Sequence, residues 1–410
     1  MTPTRRTLLF SAAAALTPWP GAAQRDAQTD PLLALDWADI LLRARGQTVF
    51  FNAWAGDDRT NAFIAWAGAQ VRARFAIDVT HVRLRDTAEA VARVVAEKAA
   101  GRAEGGSVDV IWINGPNFLA MKEQGLLFGP VLDRLPHARL VDRAGKPSTV
   151  IDFTVPVDGL AIPWRMAQVV FVHDSDRVGA PPRSIPAILD WARANPGRTT
   201  HPNVRNFMGV TFLKQALYEL APDPAALLRP VTDETLRPAA DALWTWYDAL
   251  RPHLWRRGAQ FPETGPAQRP LMMDGEIDLF ITFNPSEASS AIATGQLPGS
   301  ARSYVLDRGT IGNTSFVAIP FNAANKAAAM VLSDFLLGPE AQAHAQDPRV
   351  LGNFTVLDPA ALDAADRARF DALPRGAATP SAAELGRPLL EPHPSWMNRI
   401  TAEWERRYAR

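Results

Sequence analysis

Apolar runs and helical patterns alternate along the first part of the chain. The runs at 48–52, 79–84 and 108–113 are short and rich in β-branched or aromatic residues, which predicts buried strands. Between them, apolar residues recur at helical spacing up to Phe75 and again from Thr87 to Ala100, which predicts amphipathic helices. Strands that alternate with helices are typical of a parallel sheet covered on both faces. The pattern therefore predicts an α/β fold.

A second set of strands and helices follows farther along the chain. Extended runs at 168–173, 198–201 and 277–282 are separated by segments with helical periodicity, which predicts a second α/β unit. Two further strands, 303–306 and 315–320, then return toward the first unit. We expect each unit to contain a mostly parallel sheet flanked by helices.

The first two dozen residues have the pattern of an export signal. Arg5 and Arg6 directly precede an apolar run at 8–16, and small residues follow at 21–23. The run is shorter than the roughly 20 residues that a membrane helix needs. Paired arginines favour the twin-arginine route, and a Sec signal that contains two arginines is the alternative. We expect residues 1–23 to be the signal peptide and the mature protein to be exported to the periplasm.

Composition and charge exclude several functions. Lys and Arg total 43 and Asp and Glu total 43, so the basic excess expected of a nucleic-acid-binding protein is missing. The chain has no cysteine, which excludes disulfides, thiolate metal sites and cysteine nucleophiles. No catalytic or phosphate-binding motif occurs, and none of the 7 histidines forms an i, i+4 pair. We therefore expect neither an enzyme nor a metal or cofactor site, although an acid/base pair of carboxylates stays open.

Three turns that join a predicted strand to the start of a helix share one composition. They follow Phe51, Ile113 and Thr282, and each combines Asn, Gly, Ser or an acid with a nearby aromatic residue. In open α/β sheets ligands bind at this edge, where free N–H groups at helix starts meet polar atoms. The same residues suit helix caps, so cap and ligand contact are equal alternatives for any one of them. The candidate ligand-binding residues here are Trp54, Gly56, Asp57, Asn114, Gly115, Asn117, Phe283, Asn284 and Glu287.

Three more candidates lie between the two units or in the second one. Trp164 and Arg165 come where the chain crosses from the first unit to the second, and Asn206 precedes a helix. Trp164, like Trp54, occurs where the sequence does not force burial. We therefore prefer these two tryptophans as the aromatic residues that stack on a ligand.

Residues 51–57, 105–118 and 163–164 carry a resemblance to a known family. Their sequences are Phe-Asn-Ala-Trp-Ala-Gly-Asp, Gly-Gly-Ser-Val-Asp-Val-Ile-Trp-Ile-Asn-Gly-Pro-Asn-Phe and Pro-Trp. The chain resembles the periplasmic solute-binding proteins of ABC importers with the type II arrangement, and within them a subgroup related to the thiamine, polyamine and iron binders. The resemblance implies two lobes, a hinge of two or three crossing segments and a solute enclosed in the cleft. It also implies a membrane permease and an ATPase as partners.

The resemblance implies how the chain divides between the lobes. Residues 46–163 with about 302–365 form lobe 1, and residues 164–301 with about 366–410 form lobe 2. We expect a monomer, because one cleft that closes on one solute needs no second subunit. The alternative function is a secreted enzyme on the same two-lobed fold that uses carboxylates in the cleft.

The charge of the solute has two interpretations. Asp57, Asp58 and Glu287 near tryptophans favour a cationic or aromatic solute, thiamine-like or polyamine-like. Arg165 and Arg205 instead favour a carboxylate or phosphate. The four tyrosines are never adjacent, which disfavours a ferric-iron site of paired phenolates. Of these interpretations, the sequence favours the cation.

Overall fold

The computed structural model describes residues 30–408, so the export signal predicted over 1–23 lies outside the described residues. The strands are β1 (Thr48–Trp54), β2 (Asp78–Leu84), β3 (Val110–Ile113), β4 (Ile151–Asp152), β5 (Val155–Pro156), β6 (Ala161–Gln168), β7 (Val170–Asp174), β8 (Leu279–Thr282), β9 (Ala301–Tyr304) and β10 (Gly312–Ala318). The α-helices are α1 (Trp37–Ala44), α2 (Asp58–Phe75), α3 (Ala88–Ala99), α4 (Gly115–Glu123), α5 (Ile185–Ala194), α6 (Phe207–Leu220), α7 (Asp233–Leu250), α8 (Gln268–Met273), α9 (Glu287–Ala293), α10 (Lys326–Leu337), α11 (Pro339–Gln346), α12 (Ala364–Asp371), α13 (Ala382–Leu385) and α14 (Pro394–Tyr408). Over residues 30–408, no helix has both the length and the hydropathy that crossing a membrane requires.

Five strands form the larger sheet in the order β2-β1-β3-β10-β6. β1 pairs in parallel with β2 and β3, whereas β10 runs antiparallel to both β3 and β6. Val49 and Phe51 enter one apolar cluster, and Ile111 and Ile113 enter another. Both faces are therefore covered at β3 and β10, which explains their near-continuous apolar sequences, whereas the edge strand β2 buries only Leu84, and Phe50 of β1 is exposed.

The smaller sheet has the order β8-β7-β9, and its strands pair antiparallel rather than mostly parallel as the sequence predicted. The residues expected to add a parallel strand, 198–201, make a single parallel bridge between Thr199 and Leu279. Pro202 follows directly, and a proline has no N–H to continue a ladder. The central strand of this sheet is β7, which continues from β6 of the larger sheet.

The chain passes between the two sheets more than once. β6 of the larger sheet leads through Val169 into β7 of the smaller sheet, and β9 leads back into β10. The last helix packs Trp396, Ile400 and Trp404 into the apolar cluster that covers the smaller sheet. We call the part built on the larger sheet the first lobe and the part built on the smaller sheet the second lobe. The residue boundaries given above for the lobes stay a prediction.

Candidate functional site

The turn after β1 brings Asp57 to the boundary between the lobes. Its Oδ2 caps α2 by accepting hydrogen bonds from the Thr60 N–H at 3.1 Å and from the Thr60 hydroxyl at 3.0 Å. Its Oδ1 accepts a hydrogen bond from Nη1 of Arg269, in the second lobe, at 3.2 Å. The sequence left a helix cap and a ligand contact as alternatives. The structure shows that one carboxylate caps the helix and also contacts the other lobe.

Four charged side chains from the two lobes form a closed ring, which we call the interlobe ring. Asp57 and Arg59 belong to the first lobe, and Arg269 and Glu287 belong to the second. Arg269 contacts both carboxylates, while Arg59 donates to Oε2 of Glu287 at 3.0 Å and lies 3.9 Å from Oδ1 of Asp57. The four side chains expose 12% of their surface or less. Each charge therefore has two neighbours of opposite sign in a nearly dry environment.

Burial and pairing act in opposite directions on the two carboxylates of the ring. Burial alone would raise the pKa of Glu287, but the guanidinium groups of Arg269 and Arg59 hold this pKa below its ordinary value. Burial likewise opposes ionisation of Asp57, and Arg59 and Arg269 lower its pKa overall. Both carboxylates are charged at neutral pH. Loss of either would leave arginines buried without a full set of partners, which is costly.

A β-bulge brings Trp164 and Arg165 together on one side of the first sheet. In the register of β6 with β10, Ser315 and Phe316 face three residues of β6, and Trp164 is the extra one. The guanidinium carbon of Arg165 lies 4.3 Å from the Trp164 ring centre and 4.2 Å from the Trp112 ring centre. The two rings are nearly perpendicular, at 88°, and form a corner that holds the guanidinium.

Arg165 uses few of its five N–H donors within the protein. Its Nη1 donates to Oδ1 of Asn353 at 3.3 Å, and no carboxylate among residues 30–408 forms an ion pair with it. Burial lowers the pKa of Arg165 to about 9, and the charge of Asp57 offsets this only in part. Arg165 is thus a buried cation whose charge the protein leaves largely uncompensated.

The turn after β3 is fixed by a buried carboxylate from the hairpin of β4 and β5. Asp152 accepts hydrogen bonds from Nδ2 of Asn114 at 3.0 Å and from the Gly115 N–H at 2.6 Å. Asn114 also donates to the carbonyl oxygen of Thr314 at 2.7 Å, so it ties three segments of the first lobe together. Burial raises the pKa of Asp152 to about 7. Gly115 has a φ of 56°, and a Cβ there would lie 3.2 Å from the Phe153 ring.

The hairpin at 151–156, which we call the Phe153 hairpin, extends an aromatic ring to the second lobe. Its turn residues, Phe153 and Thr154, have φ values of 47° and 66°, in the left-handed region that is unfavourable for residues other than glycine. The Phe153 ring packs against the Phe207 ring at 6.1 Å between centroids, and Nζ of Lys214 lies 4.5 Å from its centroid. Phe207 in turn stacks on Phe283 at 5.6 Å. The Phe153 hairpin therefore makes an aromatic contact between the two lobes.

Lys214 is fully buried and paired. Its Nζ donates to Oε2 of Glu391 at 2.6 Å, and Oε1 of Glu391 accepts from Nδ2 of Asn313 at 3.0 Å. Burial lowers the pKa of Lys214 and raises that of Glu391, while each charge opposes the shift of the other. This pair joins α6 of the second lobe to the segment before α14.

Three predicted asparagines lie at the expected turns, and the hydrogen bonds of two of them are to backbone groups. Asn206 caps α6 by accepting from the Met208 N–H at 3.0 Å, and Asn284 donates to the Leu351 carbonyl oxygen at 2.6 Å. Asn117 is half-buried in the first turn of α4. The cap interpretation therefore describes Asn206, and Asn284 connects the α9 turn to a segment of the first lobe.

The two tryptophans that the sequence preferred for stacking differ in the structure. Trp164 is only 1% exposed, because it packs in the core against Phe63 and Trp112 rather than in an open loop. Trp54 is half-buried and makes an edge contact with Trp112 at 6.3 Å. Its indole also covers Gly56, where a Cβ would lie 2.3 Å from a ring atom. Trp54 therefore remains a candidate for stacking, and Trp164 serves as one wall of the Arg165 corner.

Several residues at the lobe boundary were not predicted from the sequence: Arg59, Trp112, Phe153, Lys214, Arg269 and Glu391. Arg59 follows Asp57 by two positions, a spacing at which side chains on a helix do not face each other, so the sequence offered no signal for it. Arg269 and Glu391 lie far from their partners along the chain, so no local pattern identifies them. Arg205, which with Arg165 supported the alternative of an anionic solute, is exposed and pairs with Glu405 at 2.6 Å.

Two surface cavities lie away from the predicted residues. One, of about 440 Å³, lies at 133–144 and 358, and the other, of about 580 Å³, lies between α5 and α7. In the part of the chain that the structure describes, no group of three or more His, Cys, Asp or Glu side chains is placed to hold a metal ion. The polar groups that converge from both lobes therefore make their boundary the candidate site.

Two α/β lobes joined by crossing strands define a binding-protein fold of the periplasmic type II class. The chain belongs to the family of bacterial extracellular solute-binding proteins, whose family model matches residues 48–371. The resemblance that the sequence suggested is thereby confirmed.

Comparison with individual proteins agrees with this assignment. The chain is 42% identical to Protein YnjB of Escherichia coli (strain K12) over 376 residues, which is 92% of this chain and 94% of that protein. The spermidine/putrescine ABC transporter substrate-binding protein PotD of Streptococcus pneumoniae has a TM-score of 0.61 at 15% identity, covering 88% of this chain and 98% of that one. The periplasmic binding protein AfuA of Actinobacillus pleuropneumoniae, with fructose-6-phosphate bound, has a TM-score of 0.57 at 15% identity over 88% and 99%. The structural matches confirm the predicted fold class.

Proposed function

We propose that this protein is the periplasmic solute-binding component of an ABC import system. It captures a small solute between its lobes as a monomer, closes about the hinge, and delivers the solute to a membrane permease that an ATPase drives. The family and the fold support the binding role. The ABC-transporter description of PotD supports the permease as a partner.

The interlobe ring is the single observation that carries this proposal. Its four charged groups come from opposite lobes, and in an open form each lobe would keep only one acid and one arginine. A closed state therefore has contacts of its own before any solute binds. A solute that touches both lobes adds to that preference by its differential affinity for the closed state.

The pairing of acids at the lobe boundary weakens the case for a cationic solute. The sequence favoured a cation because of Asp57, Asp58 and Glu287. Two of these acids, Asp57 and Glu287, already pair with arginines in the interlobe ring, so they do not offer a free negative charge to a cation. The spermidine and putrescine in the name of PotD therefore do not by themselves support the same solute here.

Binding without turnover is the test of the proposed role. Purified protein is incubated with a cell extract, washed and denatured, and the released compounds are identified by mass spectrometry before and after further incubation. We expect a compound that is retained and released unchanged. Chemical conversion of that compound would instead support the secreted enzyme, and retention of nothing would refute the binding role.

A pair of tryptophan variants locates the site. Trp54→Ala removes a half-buried ring near the lobe boundary, and Trp255→Ala removes a half-buried ring of the second lobe whose Nε1 donates to Glu276. We expect Trp54→Ala to weaken binding of the retained compound by about 1–2 kcal/mol, the value of one stacked face. Trp255→Ala should bind like the wild type. Equal affinity of both variants would contradict the placement of the site.

A further inference from the structure

Among the buried charged groups around Asp57, the cations outnumber the carboxylates, and the neighbouring Asp58 is exposed. The interlobe ring contains two arginines and two acids, and Arg165 adds a third guanidinium that is 8% exposed. Asp57 is the one carboxylate whose charge raises the pKa of Arg165, and that carboxylate is already bonded to Arg269 and Thr60. Near this point the buried groups of the described residues therefore leave one positive charge in excess.

Most of the unpartnered polar atoms near this point are donors, beside two unpartnered acceptors, Oδ1 of Asn61 and Oε1 of Gln268. Nε and Nη1 of Arg59 and Nε1 of Trp164 are buried and have no hydrogen-bond partner anywhere in 30–408. Arg165 uses Nη1 for Asn353, and its remaining N–H groups bond to no other residue of that range. A buried donor without an acceptor costs about 1–3 kcal/mol, and several of them together indicate a missing acceptor.

The geometry of the Arg165 corner suits a planar or tetrahedral oxyanion. The perpendicular rings of Trp112 and Trp164 confine the guanidinium, because its carbon lies within 4.3 Å of both ring centres. A fixed guanidinium presents two parallel N–H groups that match the oxygens of a carboxylate or a phosphate. Its side chain is held in place before binding, so little conformational entropy is lost on contact.

We infer that the solute carries a carboxylate or phosphate group that binds to Arg165 in the corner of Trp112 and Trp164. This inference rests on the proposed binding function and reverses the charge that the sequence favoured. The same group neutralises the excess charge beside the interlobe ring and supplies an acceptor for the free donors. Arg165 then selects the solute by charge, and the ring responds to closure.

Arg165→Gln and Arg205→Gln form a matched pair of variants. Both remove one guanidinium, but Arg205 is exposed and pairs with Glu405 on the surface. Arg165→Lys keeps the positive charge and removes the planar pair of N–H donors, so it separates attraction by charge from bidentate hydrogen bonding. Thermal melts followed by circular dichroism show which variants are folded. If Arg165→Gln is unfolded, the oxyanion affinity of Arg165→Lys is compared with that of the wild type instead.

The probes are inorganic phosphate and pyrophosphate, succinate and citrate, and putrescine and spermidine, each titrated by calorimetry. We expect wild-type protein and Arg205→Gln to bind at least one oxyanion probe, or an oxyanion retained from the cell extract. Arg165→Gln should bind that compound at least about tenfold more weakly, as loss of a charge-assisted contact requires. Arg165→Lys should lie in between. Comparison of the two phosphates with succinate and citrate shows which oxyanion is recognised.

Three outcomes overturn the inference. Binding of amines alone does so, and so does oxyanion binding that Arg165→Gln and Arg165→Lys leave unchanged. Retention from the extract of neutral or cationic compounds alone also does so, while leaving the proposed function intact. If neither the probes nor the extract yields a bound compound, the proposed function fails as well, which distinguishes the two failures.

Discussion

Glu287 is expected to hold the lobes closed in the absence of a solute. Its carboxylate contacts Arg59 at 3.0 Å and Arg269 more closely, across the boundary between the lobes. Removing one partner of a buried charge pair costs about 3–5 kcal/mol. In Glu287→Gln the amide oxygen keeps part of the hydrogen bonding, so we take the lower end of about 3 kcal/mol. At about 1.4 kcal/mol per factor of ten, the ratio of closed to open molecules falls roughly a hundredfold.

The cost should appear as opening rather than unfolding. When the lobes separate, water can hydrate Arg59 and Arg269, so the molecule avoids the penalty while both apolar cores stay packed. The chain has no cysteine, so Leu42→Cys in the first lobe and Asp190→Cys in the second give two unique labelling sites. Their side chains are 70% and 76% exposed. Electron spin resonance distance measurements between the two labels then report the opening.

We expect Glu287→Gln to move the label-to-label distance distribution to longer values without solute. Glu405→Gln is the matched control, because it breaks an ion pair between exposed side chains, and such pairs contribute about 0–1 kcal/mol. Its distribution should match that of the unsubstituted labelled protein. A distribution unchanged by Glu287→Gln would refute the role of the interlobe ring in closure. A drop in the urea midpoint with no change in distance would show that the ring stabilises the fold instead.

Three further substitutions test individual features. Burial lowers the pKa of His201 from 6.5 to about 4, so below pH 6.5 the unfolded chain binds more protons than the folded one. About 3 kcal/mol of folding stability should therefore be lost as the pH falls from 6.5 to 4. In urea unfolding, the stability of His201→Gln should depend less on pH than that of the wild type. Thr154→Gly should raise the free energy of unfolding by about 1 kcal/mol, because it relieves a φ of 66° and removes a buried hydroxyl without a partner. Gly56→Ala should cost about 1–3 kcal/mol and change tryptophan fluorescence, because its Cβ would overlap the Trp54 ring.

Each of these has an outcome that counts against it. Parallel pH profiles for wild type and His201→Gln would show that protonation of this histidine does not limit stability. A lower urea midpoint for Thr154→Gly would show that the turn of the Phe153 hairpin is not strained. Gly179→Ala is the control for Gly56→Ala, because a Cβ at Gly179 meets no atom within 4 Å. Similar losses at both glycines would contradict the overlap with Trp54.

The sequence predicted the fold well where one local rule decides the structure. The buried strand β3 is apolar on both faces, and the caps at Asp57 and Asn206 precede their helices directly. The antiparallel smaller sheet was not predicted, because pairing direction depends on which distant strands meet. Apolar runs look alike in both arrangements.

The candidate site shows the same limit. Asp57 and Glu287 were found because they follow strand ends, yet their pairing with arginines was not, and that pairing reverses the expected charge of the solute. Trp164 was expected to be accessible because its position between the two units did not force burial. The bulge that turns it into the core is a property of the register with β10, which a single strand does not reveal.

The order of strands in the larger sheet affects how the protein can be made. β10 lies between β3 and β6, although residues 312–318 are synthesised long after either neighbour. A nascent chain that ends before these residues leaves two open strand edges, which are prone to pair with other chains. Contacts between such distant segments also make folding slow. We therefore expect the first lobe to stay incomplete until most of the polypeptide has left the ribosome, and expression of its amino-terminal portion alone to yield aggregates.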